Sequence, residues 1–329
     1  MEKQIKMSLY EVERFLAEKL DSAISNVSEL SSGIFSRAYS YKSNGGEFVL
    51  RLNNDIKDFR KDIYAHENFG NKLPISKILK YGKFNDQFCF AIMHRCGGVT
   101  HDKLDGNDAE KVLPKIIDMV EKIRRIDVSD KEGYGILDEY GNGRYESWRS
   151  AIISFYNHKL PQINWFKPVI PENTKCLSGI QLYTPRLAAG TLIETLFAGS
   201  ILSRTTFDYF FKKMFELLVF CPEEKHLVHG DFGFDNLLVH NGKITGVIDW
   251  AESSYGDFLY DVAWLDFYSD DVEYAEKFKE YYAENKIDAP YFDERINCYR
   301  LHIGLSGLII AAFFKNKQDY EQVKNRLHL

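Results

Sequence analysis

One stretch constrains this 329-residue chain more than any other: Leu227 to Trp250, LVHGDFGFDNLLVHNGKITGVIDW. Asp231 stands two residues after His229, Asn236 five after Asp231, and Asp249 closes a strand-like apolar run. Asn241-Gly242, between LLVH and ITGVI, is a two-residue hairpin signal. The returning strand should therefore deliver Asp249 to Asn236. Phosphoryl transfer from a nucleotide requires a carboxylate to align a hydroxyl and take its proton, plus an amide oxygen and a second carboxylate for a hard divalent cation. This stretch supplies all three.

Hydrophobic residues make up 45% of the chain and charged residues 27%, a globular balance with material for two lobes. The net charge of −6 argues against a broad nucleic-acid surface, which needs a basic face, and suits a cationic small-molecule partner. The five cysteines, Cys89, Cys96, Cys176, Cys221 and Cys298, form no Cys-x-x-Cys pair. Neither a zinc site nor a disulfide framework is expected, and a reducing cytoplasm is. The N-terminus lacks a signal-peptide core. The longest apolar run, Leu301 to Phe314, is too short to span a bilayer, is broken by His302, Gly304, Ser306 and Gly307, and reads as a buried helix. The expectation is a monomer with neither membrane nor nucleic acid as partner.

Ser8-x-x-Glu11 is a capping-box pattern ahead of Leu9, Val12, Leu16 and Leu20 at helical spacing. From Leu30 to Leu52 apolar residues alternate around Asn44-Gly45-Gly46, predicting two strands and a tight turn. The polar loop Ser31 to Ser36 can offer backbone N–H groups and hydroxyls to phosphates at Ser32, Gly33 and Ser36. In protein kinases a His-x-Asp-x-x-x-x-Asn loop and a later metal-binding Asp work with a strand lysine, which grips the nucleotide phosphates and pairs with a helix carboxylate. Here the strand reads Val49-Leu50-Arg51. Arginine keeps the charge but presents a planar fork. Its partner, on a helix predicted over Asp58 to Asn71, is Asp62 or Glu67, and spacing leaves both open. Two further strands precede a linker, His94-Arg95-Cys96-Gly97-Gly98, whose backbone at His94 and Cys96 suits a purine edge. Helical spacing recurs over 108–126, 148–156 and 191–220, whereas 127–147 reads as a long loop and 157–180 as irregular. No Walker A sequence occurs, which disfavours a P-loop enzyme.

HGDFGFDN, VIDW and GDFLYDVA together resemble the aminoglycoside phosphotransferase family, whose fold is related to that of eukaryotic protein kinases. The resemblance runs from about residue 30 to about residue 310, apart from 157–205, and takes in FVLRLN, where arginine is also common in the family. It implies an α+β, bilobal, protein-kinase-like fold: an antiparallel-sheet lobe over 1–95 and a mainly helical lobe over 96–329. It also implies a small-molecule kinase conferring antibiotic resistance, with ATP or GTP as donor and Mg²⁺ as cofactor. By the same resemblance Asp231 is the catalytic base, Asn236 and Asp249 are metal ligands, Arg51 is a phosphate contact and His229 supports the loop. Asp257 and Asp261 are expected to brace the loop and helices, because buried carboxylates need partners. A cationic, hydroxyl-rich aminoglycoside acceptor calls for carboxylates, for which Asp235, Glu252 and Asp266 are candidates. It also calls for aromatic faces, with Tyr255 or Trp148 as candidates, and for a substrate-side cover from 157–205. The alternatives are a kinase of another hydroxylated molecule (a macrolide, amino alcohol or sugar) and a nucleotide-binding protein without transfer activity.

Overall fold

The computed structural model describes residues 7–20, 23–32, 36–154 and 189–328. The chain divides into two compact units: Met1–Ile116, Asp138–Gly141 and Phe234–Ala251 form the first, and Ile117–Leu137, Asn142–Gly233 and Glu252–Leu329 the second.

In the first unit, helix α1 (Leu9–Leu20) starts at the expected capping box, where the Ser8 N–H donates to Glu11 Oε2 at 2.8 Å and the Glu11 N–H donates back to Ser8 Oγ at 3.3 Å. Strands β1 (Ser25–Ser32), β2 (Ser36–Ser43), β3 (Gly46–Asn53), β4 (Ile78–Lys83) and β5 (Cys89–His94) form an antiparallel sheet in the order β1-β2-β3-β5-β4. Asn44 and Gly45, at φ 48° and 77°, make the β2–β3 turn, and both occupy the left-handed region that such a hairpin demands. Side chains alternate across a strand, so the two faces of β3 differ. Leu50 and Leu52 join Tyr39, Tyr41, Phe90 and Ile92 under Val12 and Leu16 of α1. Arg51 therefore points to the other face, where Phe59 of helix α2 (Ile56–Phe69) packs on Ala91 and Met93. The buried side of α2 holds Asp58, Lys61 and Asp62 beside Phe59, Ala65 and Phe69. Three charges there require partners, since an unpaired buried charge is costly. The unit is completed by β10 (Leu237–His240) and β11 (Lys243–Val247), joined at Asn241-Gly242 (φ 49° and 68°), and by β6 (Val99–Thr100) on the far edge of β10.

The second unit has a four-stranded sheet, β8-β7-β12-β9, made of β7 (Tyr134–Leu137), β8 (Gly143–Tyr145), β9 (His226–Val228) and β12 (Ser254–Gly256). The expected long loop over 127–147 thus contains β7 and β8, strands of four and three residues, too short for alternation to register in the sequence. The helices are α3 (Gly106–Arg124), which begins in the first unit, α4 (Trp148–Ile153), α5 (Ala189–Gly199), α6 (Arg204–Leu217), α7 (Leu259–Tyr268), α8 (Tyr274–Glu284), α9 (Phe292–Phe313) and α10 (Lys317–Arg326). The cover expected from 157–205 falls largely outside the described residues. Among the described residues α9 is the one helix long and apolar enough to cross a bilayer, yet it packs against α6, α7 and α10 with Ile296, Tyr299, Ile303, Leu305 and Leu308 buried.

Buried in the same unit is an ion pair. Arg295 Nε and Nη2 donate to the two oxygens of Asp257 at 2.8 and 2.6 Å, and the Tyr299 hydroxyl donates at 2.5 Å. Arg295 and Asp257 are 1% and 0% exposed. Removing one partner strands the other charge, which typically costs about 3–5 kcal/mol. Arg295→Met should lower the unfolding free energy by about that amount in urea titrations, and Asp257→Asn in the same chain should restore part of it. A loss under about 1 kcal/mol would mean that the pair contributes little.

Candidate active site

Arg51 lies on the central strand of the five-stranded sheet, 8% exposed. Its Nη1 donates to Asp62 Oδ2 at 2.7 Å and its Nη2 pairs with Asp249 Oδ2 at 3.0 Å. The other Asp62 oxygen accepts the Trp250 N–H at 2.8 Å, and Lys61 Nζ donates to the Ala251 carbonyl at 2.6 Å. Of the two helix carboxylates left open by spacing, Asp62 is the partner. Glu67 instead lines a surface pocket of about 410 Å³ with His66, Asn71 and Lys77. Burial pulls the Arg51 guanidinium down, but Asp249 and Asp62 outweigh it and the net direction is up. Burial likewise pushes the Asp62 carboxyl up, to about 6, while Arg51 and the Trp250 N–H pull it back. Lys61 is a member of this network that the sequence reading missed. A lysine one residue before the pairing carboxylate, on a helix with a charged buried face, was the available signal.

The β10–β11 hairpin joins Asn236 to Asp249. The Ile248 N–H donates to the Asn236 carbonyl at 3.0 Å, and Leu237 pairs with Val247. Asp249 follows at φ 65°, a left-handed conformation unusual outside glycine and frequent at functional sites. Asn236 is 6% exposed, and the Asp249 side chain is about a third exposed at 34%. Asp235 precedes them on the surface. Partial desolvation raises its carboxyl pKa, and the like charges of Asp102 and Asp249 add to the rise. Asp102, also missed from sequence, is tied to this loop by its N–H to the Phe234 carbonyl at 3.4 Å.

Among the residues expected on the nucleotide side, Ser32 ends β1 and Ser36 opens β2, while Gly33 lies outside the described residues. His94 ends β5 with its ring stacked on Phe48 at 5.1 Å and its carbonyl accepting the Ser76 hydroxyl at 2.8 Å. Cys96 is half-buried, and burial raises its thiol pKa.

In the second unit, Asp261 holds the loop that leads to Asp231: Oδ2 accepts the His229 N–H at 2.8 Å and Oδ1 the Gly230 N–H at 2.9 Å. Gly230 (φ 84°) admits no side chain, because a Cβ there would lie 2.2 Å from the Glu252 carbonyl oxygen. Asp231 follows, half-buried, its carbonyl accepting the Gly233 N–H at 2.8 Å. His229 is 0% exposed, its ring edge-on to Phe232.

Three acceptor-side expectations need correction. Tyr255 and Trp148 are 0% and 3% exposed, the latter laid over Gly256 with its Nε1 donating to the Tyr299 hydroxyl at 3.0 Å, so neither ring has a free face. Asp266 is engaged structurally, Oδ1 accepting the Ala275 N–H at 2.9 Å and Oδ2 paired with Arg300 at 3.0 Å. Glu252 is half-buried and keeps its candidacy.

Asn236 and Asp249 offer hard oxygen donors, the set that suits Mg²⁺, a cation that takes few protein ligands and retains water and phosphate oxygens. Among the described residues no group of three or more His, Cys, Asp or Glu forms a tighter all-protein metal cage.

The sequence profile described as the phosphotransferase enzyme family matches residues 26–292. A hygromycin-B 4-O-kinase of Escherichia coli is 30% identical over 325 residues, covering 98% of this chain and 85% of that one. Crystal structures of aminoglycoside phosphotransferase APH(4)-Ia are similar. One superposes with TM-score 0.75 at 28% identity over 98% of this chain and 97% of that one. A thermostable mutant in ternary complex with AMP-PNP and hygromycin B gives the same TM-score and identity over 96% of each chain. The GDP complex of aminoglycoside 2'-phosphotransferase-IIIa, at 14% identity and TM-score 0.62 over 98% of each chain, shares the fold. The α+β, protein-kinase-like fold expected from the sequence is therefore the observed one.

The Asp261 carboxyl makes the stability of the fold depend on pH. Burial pushes its pKa from 3.8 up to about 7, against the pull of the two N–H donors. The folded state thus binds a proton that the unfolded state has released: this stabilising contribution is complete below about pH 4 and is lost as pH rises through 7. Asp261→Asn, which mimics the protonated acid, should flatten the fall in urea-determined stability between pH 4 and pH 7. Parallel curves for the two proteins would place the proton elsewhere.

Proposed function

This chain belongs to the phosphotransferase enzyme family, and we propose that it transfers the γ-phosphoryl group of ATP to a hydroxyl of a hygromycin B-like aminoglycoside. As a member it is a small-molecule kinase. One observation carries the reading: Arg51 is held at once by Asp62 of α2 and by Asp249, which the β10–β11 hairpin brings beside Asn236. A strand cation, a helix carboxylate and a metal-type carboxylate are the parts that nucleotide phosphotransfer needs.

In this mechanism Arg51 binds phosphate oxygens and Asp62 keeps its guanidinium oriented. Asn236 and Asp249 would hold Mg²⁺, which when bound neutralises phosphate charge. Asp231 accepts a hydrogen bond from the acceptor hydroxyl, aligns it for in-line attack and takes its proton. His229 and Asp261 keep the loop in position, Asp235 and Glu252 attract acceptor ammonium groups, and Ser32, Gly33, Ser36 and the backbone near His94 and Cys96 receive the nucleotide. Residues 1–95 are taken as the nucleotide-side lobe and 96–329 as the lobe of the catalytic loop and the acceptor. Similarity to structures holding AMP-PNP or ADP favours an adenine nucleotide over GTP. A cytoplasmic monomer completes the reading.

The deciding experiment is product mass after incubating purified protein and Mg·ATP with aminoglycosides, macrolides and small alcohols. Addition of one phosphate to hygromycin B is expected, and phosphorylation of uncharged alcohols alone would overturn the acceptor assignment. Asp231→Asn should leave nucleotide affinity within a few-fold while lowering kcat by about 10² or more. Near-normal turnover in a folded variant would remove Asp231 from the chemistry. Exposed charges are screened over about 10 Å at 0.1 M salt, so acceptor KM should climb with ionic strength faster than nucleotide KM. Asp235→Ala should reduce that slope, and a slope unchanged by the substitution would take Asp235 out of the acceptor site.

A further inference from the structure

The amide oxygen of Asn236 serves a cation only if the backbone on both sides of it is fixed, because a hard-cation site with few protein ligands tolerates little displacement of any of them. On the C-terminal side the fixing is a strand ladder. Leu238 and Val239 of β10 pair antiparallel with Thr100 and Val99 of β6, and Leu237 pairs with Val247 across the hairpin. The ladder begins at Leu237, so the N-terminal side of Asn236 lies beyond it. The first unit resumes at Phe234, two residues before Asn236, and the chain that leaves β6 meets it there. One contact is the Asp102 N–H to the Phe234 carbonyl, which at 3.4 Å is long for a hydrogen bond. The other is a ring: the His101 imidazole lies on Phe234 with centroids 5.0 Å apart and planes 29° from parallel.

Histidine is an unusual residue for this place. It is 8% exposed, and its Nε2 finds no hydrogen-bond partner among the described residues, a loss that leucine or phenylalanine in the same space would not incur. Burial holds its pKa below the ordinary histidine value, against the opposite pull of the Ala109 backbone, in the first turn of α3, and of the Asp102 charge. At neutral pH it is therefore an uncharged flat ring between the start of α3 and Phe234. A flat ring on another fixes tilt as well as distance, which an aliphatic side chain does not.

Resting on the assignment of Asn236 to the metal, we propose that His101 is a positioning residue: through its stack on Phe234 it holds the Asn236 end of the loop where the amide oxygen meets the cation. The two ends of the loop are then held by different devices. Asp261 fixes His229 and Gly230 ahead of Asp231, and His101 fixes Phe234 ahead of Asn236. Loosening the stack weakens the part of nucleotide binding that depends on metal and spares the part that does not.

The test compares binding with and without metal. His101→Leu keeps the bulk and loses the flat ring. Its calorimetric Kd for AMP-PNP should rise about threefold to tenfold in Mg²⁺ and stay within about twofold of wild type in EDTA. His101→Phe, which restores a flat ring and removes the unpaired nitrogen, should return the Mg²⁺ value to within about twofold and melt at or above the wild-type temperature. Phe234→Leu should show the same metal-dependent loss, and the double variant His101→Leu with Phe234→Leu no further loss, since both remove one contact. Should His101→Leu fail to fold, Phe234→Leu carries the same comparison. An unchanged Kd in Mg²⁺, or equal losses in Mg²⁺ and EDTA, overturns the proposal. A wild-type protein whose AMP-PNP binding ignores Mg²⁺ overturns the metal assignment and the proposal with it. The expected split in a protein that transfers no phosphate to hygromycin B upholds His101 and overturns the acceptor.

Discussion

Arg51 occupies the centre of a sheet with almost no access to water, and much of the first unit answers the need to meet its charge. A guanidinium in that position is tolerated only if its fork is filled. Asp62 fills one arm from α2 and Asp249 the other from the segment after β11. The same carboxylate of α2 accepts the Trp250 N–H, and the neighbouring Lys61 donates to the Ala251 carbonyl. Strand, helix and hairpin segment are thereby fixed in one arrangement by charge-assisted bonds. These are stronger and more directional than apolar contacts, and they strongly penalise any shift that leaves one member unpaired. The same arrangement sets the oxygen donors of Asp249 beside Asn236, joined through the Ile248 N–H to the Asn236 carbonyl.

The second unit uses buried carboxylates in the same way for a different end. Asp261 fixes the two residues before Asp231 through their backbone, and Asp257 anchors the entry to α7 on Arg295 and Tyr299 of α9. Neither carboxylate is exposed enough to meet a substrate. Their effect is orientation: the loop bearing Asp231 is hung from one end of α7.

The sequence alone determined the chemistry-bearing pattern, because that information is local. His229, Asp231 and Asn236 fall within eight residues, and the Asn241-Gly242 turn carries its own backbone requirement, met at φ 49° and 68°. The capping box at Ser8 and the alternation around Leu50 and Leu52 are local in the same sense. Tertiary structure decided what depends on direction in space. Asp62 rather than Glu67 meets Arg51 because it shares the buried side of α2, a choice that sequence spacing left open. Asp266 is consumed by Arg300 and the start of α8, contacts that no local pattern encodes. Tyr255 and Trp148 face inward, because exposure of an aromatic is set by what packs over it from distant parts of the chain.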